Sequence, residues 1–161
     1  MDYSAARDLA QTAEDQLNLK EPVSLGSIQN HLEGDRDRPI VIRPIDGPMT
    51  DKVCGLWFGL DEMDLILHAR ADSEMHRQQI ILHEFAHMIL RHDQAAVSHD
   101  YAKAFFPDLS PDRVVTALKR TDFMDEFEVT AEILADRLAA RIRRSRERSG
   151  GQPGNFGEVF G

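Results

Sequence analysis

The most informative segment of the chain is Ile80-Ile81-Leu82-His83-Glu84-Phe85-Ala86-His87-Met88-Ile89. It is apolar on nearly every side, which is typical of a helix buried in a protein core. We predict that this helix begins at a cap residue, Asp72 or Ser73, and ends near Arg91. Polar side chains in so apolar a helix are costly without partners, so its two histidines and its glutamate require an explanation.

These three polar residues form the pattern H-E-x-x-H over residues 83–87. Residues four apart lie about 40° from one another around a helix, so His83 and His87 share a face and can reach one metal ion. Glu84 is offset by about 100°, so it can reach a water molecule bound to that ion without itself being a ligand of the ion. Chance would give about 0.02 such patterns in a chain of this composition, which favours a metal site over a pair of core histidines.

A catalytic zinc ion usually has three protein ligands and one open position, so a third ligand is required. Glu128 and Glu132 are the strongest candidates, because they lie four residues apart beside the apolar stripe of the last predicted helix. Ala131, Ala135 and Ala139 lie on the same side and would let another helix approach closely. A solvated acidic edge is the alternative interpretation of this helix. Weaker candidates for the third ligand are His92, Asp93 and His99.

Upstream of the motif, the sequence predicts two helices and a small sheet. Apolar residues at helical spacing predict a helix over residues 4–19, and Ser24 can cap a second one. Pro44 restricts the first strand to a sheet edge. We also expect residues 53–60 to offer an exposed edge to an extended substrate. The three predicted strands are Ile40–Ile42, Val53–Leu60 and Met63–His68.

Downstream of the motif, the pattern predicts helices only. Ser110-Pro111 resembles a helix start, and we predict a helix from there to about Arg120. Thr121 or Asp122 would cap the last helix, which extends to about Arg146. The fold class is therefore α+β, with a three-stranded sheet against a helical bundle. We expect one domain over residues 1–148 and a disordered tail over 149–161.

Composition limits the class of protein. A length of 161 residues with 42% apolar residues suits one globular domain. We find no apolar run of the roughly 20 residues that a membrane helix needs, and no signal-peptide pattern. Cys54 is the single cysteine, so it cannot form a disulfide within the chain. We therefore expect a cytoplasmic protein. The net charge of −9 argues against broad nucleic-acid binding, because a phosphate backbone would repel it.

The motif at residues 83–87 and the segment Glu128-Val129-Thr130-Ala131-Glu132-Ile133-Leu134-Ala135 together resemble the ImmA/IrrE family of zinc metallopeptidases. Members carry a small sheet, an H-E-x-x-H helix and a helix with the pattern E-x-x-A-[N/E]-x-x-A. The resemblance implies a zincin-like fold, with Zn²⁺ held by His83, His87 and Glu128. It also implies that Glu84 is catalytic and that Glu132 supports the ligands. The chain departs from the family in its long spacer before residue 128 and in Ala139-Ala140-Arg141, where Leu-Met-Pro often stands.

The resemblance further implies a zinc-dependent metallo-endopeptidase with a regulatory role. Its expected substrate is a protein, a helix-turn-helix transcriptional repressor whose removal releases genes of a mobile element or a stress response. Two alternatives stay open: a metal-binding regulator without turnover, and a toxin-like component that acts by binding its partner. Hydrolysis would also need a second donor to the oxyanion. The candidates for that donor are His68, His99 and Tyr101.

Overall fold

The computed structural model describes residues 3–44, 55–60, 62–91, 114–119 and 125–150. Within these residues the chain forms four helices and a mixed sheet, so the predicted α+β class is confirmed. The elements in chain order are α1 (Tyr3–Leu17), α2 (Leu25–Arg36), β1 (Ile40–Pro44), β2 (Gly55–Leu60), β3 (Asp64–His68), α3 (Glu74–Ile89), β4 (Val114–Lys119) and α4 (Asp125–Gly150).

Side-chain caps explain where α2 and α3 begin. The Ser24 hydroxyl accepts a hydrogen bond from the Ser27 N–H at 3.0 Å, and the Ser27 hydroxyl accepts one from the Ser24 N–H at 2.9 Å. This reciprocal pair is a capping box, which satisfies two backbone donors that the helix itself leaves open. At α3, the Ser73 hydroxyl accepts a hydrogen bond from the His76 N–H at 3.1 Å. Both predicted helix starts are confirmed.

The sheet has the strand order β1-β3-β2-β4, with β1 parallel to β3 and β2 antiparallel to both of its neighbours. The hairpin of β2 and β3 is closed by a hydrogen bond from the Leu60 N–H to the Met63 carbonyl at 2.9 Å. β1 lies at an edge, as Pro44 predicted. β2 pairs on both sides, so the expectation that residues 53–60 offer a free edge is wrong for the described part, 55–60.

The strand β4 overturns a second prediction. The sequence indicated a helix over 110–120, whereas residues 114–119 form a strand that pairs with β2, from Leu56 opposite Lys119 to Leu60 opposite Val114. The described sheet therefore has four strands and not three. The run Val114-Val115-Thr116 is β-branched, which favours a strand once an open sheet edge supplies backbone partners. A Ser-Pro start signal cannot anticipate that edge, because β2 lies more than fifty residues earlier in the sequence.

One apolar core joins the helices to the sheet. Trp57 and Ile66 are cross-strand partners on its helix-facing side, and Ile81, Phe85 and Leu134 pack there with them. Directly opposite residues of an antiparallel pair share a face, so Gly55 and His68, two residues along from this pair, also face the helices. The end of the sheet that carries these two residues is the one that borders the candidate site.

A buried ionic network fixes the other end of the same sheet face. Asp64 is fully buried at the start of β3. Arg36 donates to its carboxylate at 2.6 and 3.1 Å, and the Trp57 indole N–H donates to it at 3.0 Å. The guanidinium of Arg36 also lies 5.1 Å from the centre of the Trp57 ring. A buried carboxylate needs such partners, and Trp57 is therefore a structural residue.

Candidate metal centre

The packing of α3 against α4 places a carboxylate beside two imidazoles. His83 and His87 lie on the same face of α3, and both are buried. α4 presents Ala131 and Ala135, both fully buried, and these small side chains leave room for close packing of the two helices. The approach brings Glu128 Oε2 to 2.9 Å from His87 Nε2 and Glu128 Oε1 to 3.4 Å from His83 Nε2.

This arrangement could hold a metal ion. One ligand atom from each of His83, His87 and Glu128 lies within 4.8 Å of the other two. Two imidazole nitrogens and one carboxylate oxygen are a donor set that zinc accepts in catalytic sites, with one position left open. The residues present therefore fit a divalent metal ion. This donor set alone does not select among transition metals, because imidazole and carboxylate also bind iron and copper.

The charge of Glu128 suits this role. Burial acts to raise its pKa, but hydrogen bonds and charges from His83 and His87 outweigh that effect and lower the pKa of Glu128 to about 2. The group is therefore a carboxylate throughout the physiological pH range, which is the protonation state that a metal ligand requires.

The structure gives different positions to the two glutamates that the sequence left as alternatives for the third ligand. Glu132 Oε2 lies 3.2 Å from Nδ1 of His83, the ring nitrogen that does not face Glu128. A carboxylate at that position fixes the orientation and tautomer of a ligating imidazole. Asp136, one turn further along α4, accepts a hydrogen bond from Gln79 at 2.9 Å. Burial and the charge of Glu132 raise the pKa of Asp136.

Glu84 lies against the sheet. It is fully buried. A Cβ atom built on Gly55, the first residue of β2, would lie 2.9 Å from Glu84 Oε2 and 3.2 Å from Glu84 Cγ. The absence of a side chain at Gly55 therefore makes room for the Glu84 carboxylate. Sequence reasoning missed Gly55, although a glycine inside a strand signals a close approach of another group.

His68 is a further polar residue at this end of the sheet. It is only 4% exposed and lies directly opposite Gly55 in the register of β2 and β3. Its Nδ1 lies 3.0 Å from the carbonyl oxygen of Ala69, and a carbonyl can only accept, so Nδ1 carries a proton. The remaining sequence candidates, His92, Asp93, His99 and Tyr101, lie outside the described residues.

The fold and the site define an α+β domain with a candidate metal centre of two histidines and one glutamate. No protein-family model matches the chain, and neither the curated proteins nor the solved structures gave a significant match. Within the described residues, none of the helices is both long and apolar enough to cross a bilayer. Any function assigned to this chain therefore depends on the chemistry of the site.

Proposed function

We propose that this chain is a zinc-dependent metallo-endopeptidase with a zincin-like fold. The observation that supports this most directly is the convergence of His83, His87 and Glu128 from two helices, with Glu84 buried one residue along from the first ligand. Two imidazoles and a carboxylate leave an open metal position, and the fourth residue supplies a base. A purely structural metal site would have four protein ligands and no need of Glu84.

The chain's own residues divide the work of hydrolysis. A zinc ion at this site would supply Lewis acidity, which activates water near neutral pH and polarises a scissile carbonyl. Glu84 takes the proton of the attacking water and passes it to the leaving amine, as a general base and then a general acid. Glu132 holds His83 through Nδ1 so that Nε2 faces the centre. The packing of Glu84 against Gly55 limits the positions that its carboxylate can take.

The substrate is proposed to be a protein, and a helix-turn-helix repressor is the candidate that the sequence resemblance supports. The strand β4 bears on how such a substrate would be held. β4 pairs with β2 from Leu56 to Leu60, so an extended substrate could pair with that part of β2 only by displacing β4.

Zinc content tests the ligand set first. Elemental mass spectrometry on the purified chain should give close to one zinc per chain. Glu128→Ala should lose most of it, because that change removes a ligand. Glu132→Ala should retain zinc with weaker affinity, because Glu132 lies against Nδ1 of His83, the ring nitrogen that does not face Glu128. A wild-type chain that takes up no zinc after reconstitution would overturn the proposal.

Peptide-bond hydrolysis tests the reaction. The zinc-loaded chain would be incubated with a library of proteome-derived peptides, and new termini would be identified by mass spectrometry. Glu84→Gln is the matched control, because it keeps the shape of the side chain and removes the base. We expect cleavage by the wild type, none by the variant, and equal zinc in both. A Glu84→Gln chain that still inactivates a repressor in cells would instead indicate a binding regulator.

A further inference from the structure

The imidazole of His68 is a buried titratable group that the proposed mechanism does not use. Only 4% of this residue is exposed, and its Nε2 atom is buried without a hydrogen-bond partner among the described residues. A buried polar atom without a partner costs free energy, so such an atom usually has a water molecule or a ligand against it. Because Nε2 is buried, that partner must lie inside the protein.

The hydrogen bond at the other ring nitrogen determines what Nε2 can do. Nδ1 lies 3.0 Å from the Ala69 carbonyl and carries a proton. In the neutral ring, Nε2 is then an acceptor with no proton to donate. Such an atom cannot donate to an oxyanion, the role for which His68 was one candidate. It can accept a hydrogen bond from a water molecule.

The register of the sheet places His68 beside the Glu84 carboxylate. His68 on β3 and Gly55 on β2 are directly opposite each other, and the Cβ atoms of such a pair are about 4.5–5.5 Å apart. A Cβ at Gly55 would lie only 2.9 Å from Glu84 Oε2, so the carboxylate takes the place of the missing side chain. The neighbouring side chain across the two strands is therefore that of His68.

The separation of the two groups suits one bridging water molecule. The register and the Gly55 contact put Glu84 Oε2 no more than about 8.4 Å from the Cβ of His68. The imidazole ring covers part of this distance, and two hydrogen bonds of about 2.8 Å cover the remainder. A carboxylate and the Nε2 of a neutral ring both only accept, so they do not bond each other. Water has two hydrogens to donate and satisfies both at once.

We propose that His68 is a positioning residue for Glu84, which it holds through one bridging water molecule. The inference rests on the proposed function, because it assigns a residue that supports the base of the same site. Glu84 Oε2 accepts from this water on the side of the sheet, which leaves Oε1 for the attacking water. Packing against Gly55 limits where the carboxylate lies, and the bridge fixes how it is rotated.

The contact can be measured without turnover, by NMR of the His68 ring nitrogens in the zinc-loaded full chain. Glu84→Gln changes the group at the far end of the bridge, so we expect the Nε2 resonance to shift. The Nδ1 resonance should stay, because its partner is the Ala69 carbonyl. Glu74→Gln is the matched control, since Glu74 lines the surface cavity beside His68. It should leave both resonances unchanged, because Nε2 is buried.

Kinetic measurements test the consequence for hydrolysis. His68→Phe keeps a ring of similar size and removes Nε2, so we expect kcat to fall about tenfold while KM and zinc content stay at wild-type values. His68→Gln keeps a polar atom near the position of Nε2 and should recover most of the lost kcat. A residue needed only for stability would not separate kcat from KM, and the glutamine would not rescue it.

The same measurements can refute the inference. A His68 Nε2 resonance that ignores Glu84→Gln, or follows Glu74→Gln equally, would show that the ring does not contact the base. A wild-type kcat in His68→Phe would show that the contact does not position it. If His68→Phe fails to fold, the NMR test still decides, because Glu84→Gln leaves His68 in place. A chain that shows the NMR shift but cleaves no peptide would overturn the proposed function. Cleavage with an unshifted His68 would overturn the inference alone.

Discussion

The contact between Gly55 and Glu84 leads to the sharpest prediction, for the substitution Gly55→Ala. The added Cβ would lie 2.9 Å from Glu84 Oε2 and 3.0 Å from Ile80 Cγ2, whereas ordinary contact begins at 3.4 Å. The Glu84 carboxylate must therefore move by about 0.5 Å, the difference between 3.4 and 2.9 Å. A fully buried side chain next to a β-branched isoleucine has little room for that movement.

Gly55→Ala should lower both the free energy of unfolding and kcat. Overpacking a core costs about 1–3 kcal/mol. Replacing a glycine also restricts the unfolded chain, which stabilises the folded protein by up to about 1 kcal/mol. We therefore expect the free energy of unfolding to fall by about 1–2 kcal/mol. A misplacement of 1 Å in an active site can lower the rate about 100-fold, so 0.5 Å should lower kcat on the order of tenfold. Zinc content should stay the same, because the atoms nearest to the added Cβ belong to Glu84 and Ile80 and not to the three candidate ligands.

The assays are urea unfolding, zinc content, and kcat on the best peptide from the library. Gly34→Ala is the matched control. A Cβ at Gly34 has no atom within 4 Å, and the residue lies inside α2, so alanine should raise the free energy of unfolding by about 0.5–1 kcal/mol without affecting kcat. If Gly55→Ala unfolds at the wild-type urea concentration and keeps the wild-type kcat, the close packing of Glu84 on β2 is refuted.

Three further predictions concern the ligands and a cap. Glu132→Gln should weaken zinc binding about 10–100-fold, as measured by competition with a chelator, because it removes the carboxylate behind His83; unchanged affinity would exclude that role. The pKa of Glu128 is lowered to about 2, so this carboxylate stays ionised as the pH falls to about 4. When acid releases zinc, calorimetry should therefore show that the two imidazoles take up protons and that Glu128 does not. An uptake of three protons would contradict this. Ser24→Ala should lower the free energy of unfolding by about 1 kcal/mol through loss of the α2 capping box, and an unchanged urea midpoint would oppose it.

The features that depend on local geometry could be predicted from the amino-acid sequence alone. The spacing of His83 and His87 places both rings on one face of any α-helix, whatever surrounds it. The apolar run around them predicted a buried helix, and α3 is buried from Ile80 to Met88. Ser24 and Ser73 could be predicted as helix caps because a cap interacts with residues only two or three positions away. The β2–β3 hairpin could be predicted for the same reason, because its two strands are neighbours in the sequence.

The features that join distant segments could not be predicted in this way, because they depend on how the whole chain packs. Whether Glu128 or Glu132 meets both imidazoles depends on how α4 packs against α3, and the two candidates differ by a single helical turn. The strand β4 forms because the edge of β2 provides backbone partners, which local propensity does not contain. The approach of Glu84 to Gly55 likewise joins residues almost thirty positions apart. Side-chain periodicity specifies which face of an element is buried, whereas the partner of that face is selected by packing of the whole chain.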